Sequence, residues 1–175
     1  GSVSQQVATN ADCSVLVVRG RKRPARVLLA YDGSIDAEAG LALLSSLAPS
    51  KGMEAVVTTV AEPVMPPLDA PPGWAPDTVA EADRWRKTSA RRHAQAAVRR
   101  LRAAGWTAST HIGEGHPGSA ILQAARETAA DLVVIGARGI HSPDEETRGM
   151  GGIPRQVLER AASSVLISRA PRTEG

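Results

Sequence analysis

Apolar residues in this chain come in short blocks separated by polar segments, and the blocks alternate between two spacings. RVLLAY (26–31), EAVVTTVA (54–61), TASTHI (107–112), DLVVIG (131–136) and SVLIS (164–168) are short and β-branched or continuously apolar, and they read as strands. The unbroken LVVI of 132–135 predicts burial on both faces, as inside a parallel sheet. Between these blocks the apolar positions recur at helical spacing. Ala37, Leu41, Leu44 and Leu47 mark a helix capped by Ser34 and closed by Pro49 and Gly52. Ala90, Ala94, Ala97 and Leu101 form one stripe of a long helix over 79–104. Pro117 opens a helix running to about Ala129, and a last helix spans about Ile153 to Ala162. Strands alternating with helices predict an α/β fold: an open, parallel five-stranded sheet with right-handed crossovers and helices on both faces. PVMPPLDAPPGWAP (63–76) is too proline-rich for either element and is expected to be a mobile surface loop.

The start of the chain nearly repeats its end. GSVSQQVATNADCSVLVV (1–18) lies without a gap on GGIPRQVLERAASSVLIS (151–168), sharing Gly1/Gly151, Gln6/Gln156, Val7/Val157, Ala11/Ala161, Ser14/Ser164, Val15/Val165 and Leu16/Leu166. One helix-plus-strand unit is thus used twice. The expected organisation is a closing unit over 1–18, a linker over 19–25, a domain over 26–169 and a tail over 170–175. Gly1 and Ser2 are also what tag removal commonly leaves, but the repeat holds from Val3 onward. Ser14–Val18 is expected to form a strand, with Cys13 inside it, that covers Val165–Ser168 in its own chain or across a dimer.

Composition narrows the functional classes. There is no Phe, and Tyr31, Trp74, Trp85 and Trp106 are the only aromatics, which argues against a base-stacking platform for single-stranded nucleic acid. The formal charge is +3, with arginines gathered in 19–26 and 84–102. RWRKTSARRHAQAAVRRLR (84–102) has the cations to follow a phosphate backbone, yet Arg91, Arg92, Arg99 and Arg102 lie off the Ala/Leu stripe, as on a solvated helix face. Nucleic-acid binding is therefore the weaker reading. No apolar run approaches a membrane span and no secretory signal is visible. A lone Cys13 excludes a disulfide framework, and a cytoplasmic protein with no membrane partner is expected. The four histidines lack metal-ligand spacing, and the glycines of HIGEGH (111–116) suggest a loop. Ser34 has no nucleophile elbow around it, and no second carboxylate pairs with Asp32, so no catalytic group is assigned.

The strongest chemical signal is GARG (136–139) after the fourth predicted strand, followed by GG (151–152) before the last helix. Glycines there let the backbone approach a ligand, and free N–H groups at a helix start attract anions. The pattern is neither a Walker A loop nor GxGxxG, and a tight turn alone would also explain it.

Together, a first strand ending in Asp32-Gly33-Ser34, the GxRG of 136–139, the glycine pair and the final SVLI resemble a universal stress protein domain over 26–169. The resemblance implies the sheet order 3-2-1-4-5, carried by 26–31, 54–60, 107–112, 131–135 and 164–168. It also makes 1–18 the end of a preceding domain of the same family, as in its tandem members. It further implies a homodimer through the edge strand, an unnamed protein partner and a nucleotide ligand: ATP, with Mg, or AMP. The implied nucleotide contacts are Ala30, Asp32 and Val60 at the base and ribose end, and Gly136, Arg138, Gly139, Gly151 and Gly152 at the phosphate end. Asp32 could equally cap the helix that begins near Ser34.

The family's ATP binders carry G-x2-G-x9-G-[S/T]. Here eleven residues separate Gly139 from Gly151, and Gly152 stands where the hydroxyl residue belongs. Asp144, Glu145 and Glu146 would repel a triphosphate, Arg138, Arg148 and Arg155 would attract one, and Pro154 removes an N–H donor. The expectation is weak or no ATP binding at a kept adenine end. The function expected is a non-enzymatic, nucleotide-responsive stress domain acting through dimerisation or partner binding. The alternatives are a dimerisation module without nucleotide, a slow ATPase, and a basic-helix nucleic-acid binder.

Overall fold

A computed structural model of the chain describes residues 2–20, 23–62, 76–140 and 149–171. Its elements in chain order are α1 (Ser2–Asn10), β1 (Val15–Val17), β2 (Arg26–Ala30), α2 (Ile35–Ser46), β3 (Glu54–Ala61), α3 (Pro76–Ala103), β4 (Thr107–Glu114), α4 (Pro117–Glu127), β5 (Leu132–Gly136), α5 (Gly152–Arg160) and β6 (Ser164–Ser168). The sheet has six strands in the order β1-β6-β5-β2-β3-β4. The five parallel strands stand in the expected 3-2-1-4-5 order, read from β4 to β6. Beside them the first copy of the repeat supplies the expected further strand: β1 covers β6 within the same chain, pairing antiparallel with it. The outer edge of β6 offers unpaired backbone groups, and β1 satisfies them.

Alternation along each strand divides the core into two layers. Leu28, Val133, Ile135, Val165 and Ile167 face α4 and α5, where Ile121, Leu122, Val157 and Leu158 cover them. Val27, Leu29 and Val134 face the other way, onto Leu41 and Leu44 of α2 and Ala94, Ala97 and Leu101 of α3. The small alanines of α3 let this long helix lie close to β3 and β4. Ser34 caps α2 as expected, accepting a hydrogen bond from the Ala37 N–H.

Two smaller expectations fail. HIGEGH is not all loop, because β4 continues to Glu114 and Gly113 pairs with Val60. A Cβ at Gly113 would sit 3.1 Å from the Ala120 Cβ, so this glycine marks close packing of α4 on the strand rather than a turn. Cys13 is exposed in the turn before β1, not inside the strand. The expected loop over 63–76 falls outside the described residues except for Pro76, the first residue of α3, and Asp144, Glu145, Glu146 and Arg148 also lie outside them. Among the described residues, no helix is long and apolar enough to cross a membrane.

Candidate functional site

In an open parallel sheet the strand order reverses at one point, and a crevice opens beyond the carboxyl ends of the strands there. Here that point lies between β2 and β5. A cavity of about 690 Å³ opens at these strand ends, a size typical of small-molecule sites. Ala30, Asp32, Val60, Gly136, Arg138, Gly139, Gly151 and Gly152 all line it. Residues chosen from four separate stretches of sequence thus line one cavity. Thr58, Thr59, Ile121 and Ile135 also line it, as do Trp85, Arg86, Ser89 and His93 of α3.

The loops after β2 and β5 are tied to one another at Asp32. One Asp32 carboxylate oxygen accepts the Ser34 N–H at 3.0 Å, and the other accepts the Ile140 N–H at 3.1 Å. The Ser34 hydroxyl donates to the Arg138 carbonyl at 3.1 Å, while also capping α2. Asp32 therefore fastens the two loops, a role beyond the helix cap that its position in sequence suggested.

Arg138 is held from beneath. Asp36 in the first turn of α2 is 1% exposed, and its carboxylate accepts the Arg138 N–H at 3.1 Å and the Arg138 Nε at 3.0 Å. The same carboxylate accepts the Ala170 N–H at 2.8 Å. A buried charge needs such partners, because desolvation without them costs several kcal/mol. Gly136 belongs to this arrangement: a Cβ there would lie 2.9 Å from the Ala37 nitrogen, so only glycine lets α2 start this close to β5. Asp36 carried no signal of this role in the sequence, where it reads as an ordinary acidic residue in a helix's first turn.

At the opposite end, Gly151 is the N-cap of α5, and its N–H donates to the Ala137 carbonyl at 2.9 Å. Pro154 has no N–H, so the amides of Gly152 and Ile153 are what the helix start presents. Gly152 is exposed with open space around its Cα. Arg155 is exposed on the outer face of α5.

The α3 wall carries the groups that sequence reasoning missed. Arg86 donates to the Glu62 carbonyl at 3.0 Å, and Trp85 is 66% exposed at the cavity's edge. Below them, Tyr31 hydrogen-bonds Glu38, which also pairs with Arg100. Burial, and then the Glu38 carboxylate, push the Tyr31 phenol up to about 12. Burial alone would raise Glu38, but hydrogen bonds from Tyr31 and Arg100 outweigh it and hold the carboxyl below its usual range. The signal available for this wall was the Ala stripe of α3, which fixes the helix's buried face and hence the positions flanking it. Among the described residues no cluster of His, Cys, Asp and Glu is arranged to hold a metal ion.

A doubly covered parallel sheet with a crevice at its reversal point defines a Rossmann-like α/β protein. The sequence profile of the Universal stress protein family matches residues 25–169, and this chain belongs to that family. It is 32% identical over 143 residues to a universal stress protein from Thermus aquaticus, covering 82% of this chain and 97% of that one. Among solved structures, the universal stress protein UspA from Lactobacillus plantarum is similar with a TM-score of 0.69 at 21% identity, over 85% of this chain and all of that one. An Arabidopsis thaliana family protein, solved with AMP bound, matches with a TM-score of 0.58 at 13% identity, over 84% of this chain and 92% of that one. A universal stress protein from Archaeoglobus fulgidus matches with a TM-score of 0.60 at 21% identity, over 96% of this chain but only 54% of that longer chain.

Proposed function

We propose that this chain is a non-enzymatic, nucleotide-responsive universal stress domain of the cytoplasm whose cavity takes an adenosine monophosphate in preference to ATP. The observation that carries the reading is the unequal furnishing of the cavity's two ends. Ala30, Val60, Ile121 and Ile135 offer apolar surface at one end, where a base would lie beside the Val60 backbone. Asp32 and Gly139 would flank the ribose. At the other end, two amides at the start of α5 and the helix dipole suit a single phosphate group. A triphosphate asks for more donors than that, and the Arg138 charge is already offset by Asp36. The relative solved with AMP bound supports the same ligand class. ATP with Mg is the weaker alternative. The Ser34 hydroxyl and both Asp32 oxygens are engaged in holding loops together, which supports a binding role over catalysis. Ligand would act by tightening these loops and so altering association with a second copy or another protein.

The same bonds favour a second reading. Asp32, Ser34, Asp36 and Arg138 satisfy one another without a nucleotide, as they would in a domain that serves only for association. Calorimetry with AMP and with magnesium–ATP decides between the two. AMP binding with a Kd on the order of micromolar, and ATP at least tenfold weaker, is the expected result. Binding of neither nucleotide would leave the association module, and ATP binding tighter than AMP would overturn the assignment of the phosphate end.

A further inference from the structure

Three hydrogen-bonded side chains lead from the cavity to the surface, and the proposed function uses none of them. Thr58 of β3 and His111 of β4 are cross-strand partners, so their side chains leave the sheet on the same face, the one that α4 covers. The Thr58 hydroxyl lies 3.2 Å from the His111 Nδ1, and the His111 Nε2 lies 3.2 Å from a carboxylate oxygen of Glu127, the last residue of α4. Thr58 lines the cavity and is 1% exposed, whereas the His111 and Glu127 side chains are 27% and 50% exposed. The chain of bonds thus begins beside the cavity and ends in solvent.

Its polarity follows from what each group can do. The Glu127 carboxylate can only accept. Hydrogen bonds from Gln123, at 2.7 Å, and from His111 hold its carboxyl below the usual range, so it is ionised at neutral pH. The His111 Nε2 must then carry a hydrogen, and in a neutral imidazole the Nδ1 accepts. The Thr58 hydroxyl gives its one hydrogen to that Nδ1 and leaves only lone pairs for the cavity. An imidazolium donates from both nitrogens. Its Nδ1–H would take up a Thr58 lone pair, and the hydroxyl hydrogen would turn to the cavity.

The charged groups around His111 are few. From α4 it meets Glu127, with Arg126 beside that residue. On β3 the charged residue is Glu54 at the strand's start, paired with Arg26. On β4 itself Glu114 pairs with Lys87 on the α3 side.

We infer that His111 makes the choice of base in the cavity depend on protons. With His111 neutral, Thr58 accepts from the amino group of an adenine-type base. With His111 protonated, it donates to the keto oxygen of a hypoxanthine-type base. The inference rests on the proposed nucleotide reading, in which the base lies among Ala30, Val60, Ile121 and Ile135. Thr58 is the sheet partner of Ala30, whose single methyl leaves the hydroxyl uncovered on that side.

Calorimetry of the full chain with AMP and with inosine monophosphate, at about pH 8 and about pH 5, tests this across the range in which imidazole takes up a proton. The two ligands share ribose and phosphate, so phosphate titration cancels in the ratio of their affinities. The preference for AMP over inosine monophosphate should fall by about tenfold from the higher pH to the lower. Thr58→Val keeps the branched shape without the hydroxyl, and His111→Gln cannot take up the proton; each should make the ratio independent of pH. A wild-type ratio that does not move with pH, or one that moves as much in Thr58→Val, would overturn the inference. Nitrogen NMR of the His111 ring in the ligand-free protein reads the polarity separately. Hydrogen on Nε2 is expected at the higher pH, and hydrogen on Nδ1 would overturn the inference whatever binds. Binding of neither nucleotide with the hydrogen on Nε2 would instead sink the nucleotide reading, and the inference with it.

Discussion

α1–β1 and α5–β6 are written in nearly the same residues, yet they contribute differently to the molecule. The second unit closes a sheet: Val157 and Val165 are fully buried, and its helix start faces the cavity. The first unit is an annex to that sheet's edge, with Ala8 buried and Val7 exposed on the same helix. The pattern of apolar residues states which face a helix can bury. What lies across from that face decides whether the burial stabilises anything.

The largest expected effect follows from that difference. Val157→Asp would place an unpaired carboxylate in the core layer and should cost about 4 kcal/mol or more. Val7→Asp, at the equivalent position, should change stability by within about 0.5 kcal/mol. Urea unfolding of the two variants measures both. Equal costs would break the comparison, by showing that Val7 is as well covered in solution as Val157.

The two copies also show how far sequence reasoning reaches. Strand period, the Ser34 cap and the run of 132–135 are local signals, and the elements they predict are present within a few residues. The repeat told that β1 would be a strand near β6. Its antiparallel sense was not legible, because parallel and antiparallel neighbours can carry the same apolar pattern. The eight candidate residues converge on one cavity because each sits at a strand end or a helix start, positions that the element order fixes. Asp36 and the α3 wall escaped because their roles depend on distances across the fold. Nothing within α2 distinguishes a first-turn aspartate that meets Arg138 from one that meets water. The glycine in HIGEGH misled for the complementary reason: a glycine that admits a neighbouring helix and one that makes a turn look alike in sequence.

A smaller effect tests the arginine pair. Arg19 and Arg169 make equivalent bonds to the opposite strand and helix, but Arg169 alone also donates to the Gly149 carbonyl, at 3.2 Å, where the chain returns to the cavity. Burial lowers the Arg169 pKa, and the nearby Asp36 offsets only part of that. Arg169→Ala should cost about 3 kcal/mol and Arg19→Ala about 1.5 kcal/mol, hydrogen bonds from charged groups being worth about that much each. Arg169→Ala should in addition weaken AMP binding, and Arg19→Ala should not. Calorimetry on both variants checks this, and loss of binding in both would mean that the annex as a whole supports the cavity.

The smallest effect lies at a repeat position where the two copies differ beside the cavity. The first copy has Ser2 where the second has Gly152, and the family's ATP binders carry Ser or Thr after that glycine. Gly152→Ser gives the second copy the first copy's residue. The site tolerates it: Gly152 begins α5, and a Cβ there would meet nothing within 4 Å. Helix propensity favours the change by a few tenths of a kcal/mol, so stability should hold or rise slightly. The added hydroxyl sits beside the two amides that face the cavity, where it can donate to a phosphate oxygen. A tenfold gain in magnesium–ATP affinity, about 1.4 kcal/mol, is expected, with a smaller gain for AMP, whose single phosphate the amides would already serve in the proposed reading. Calorimetry of the variant against the parent measures both. A gain for AMP equal to that for ATP would show that the hydroxyl serves the first phosphate. The difference between this chain and an ATP binder would then lie in the longer loop before Gly151, not in the missing hydroxyl.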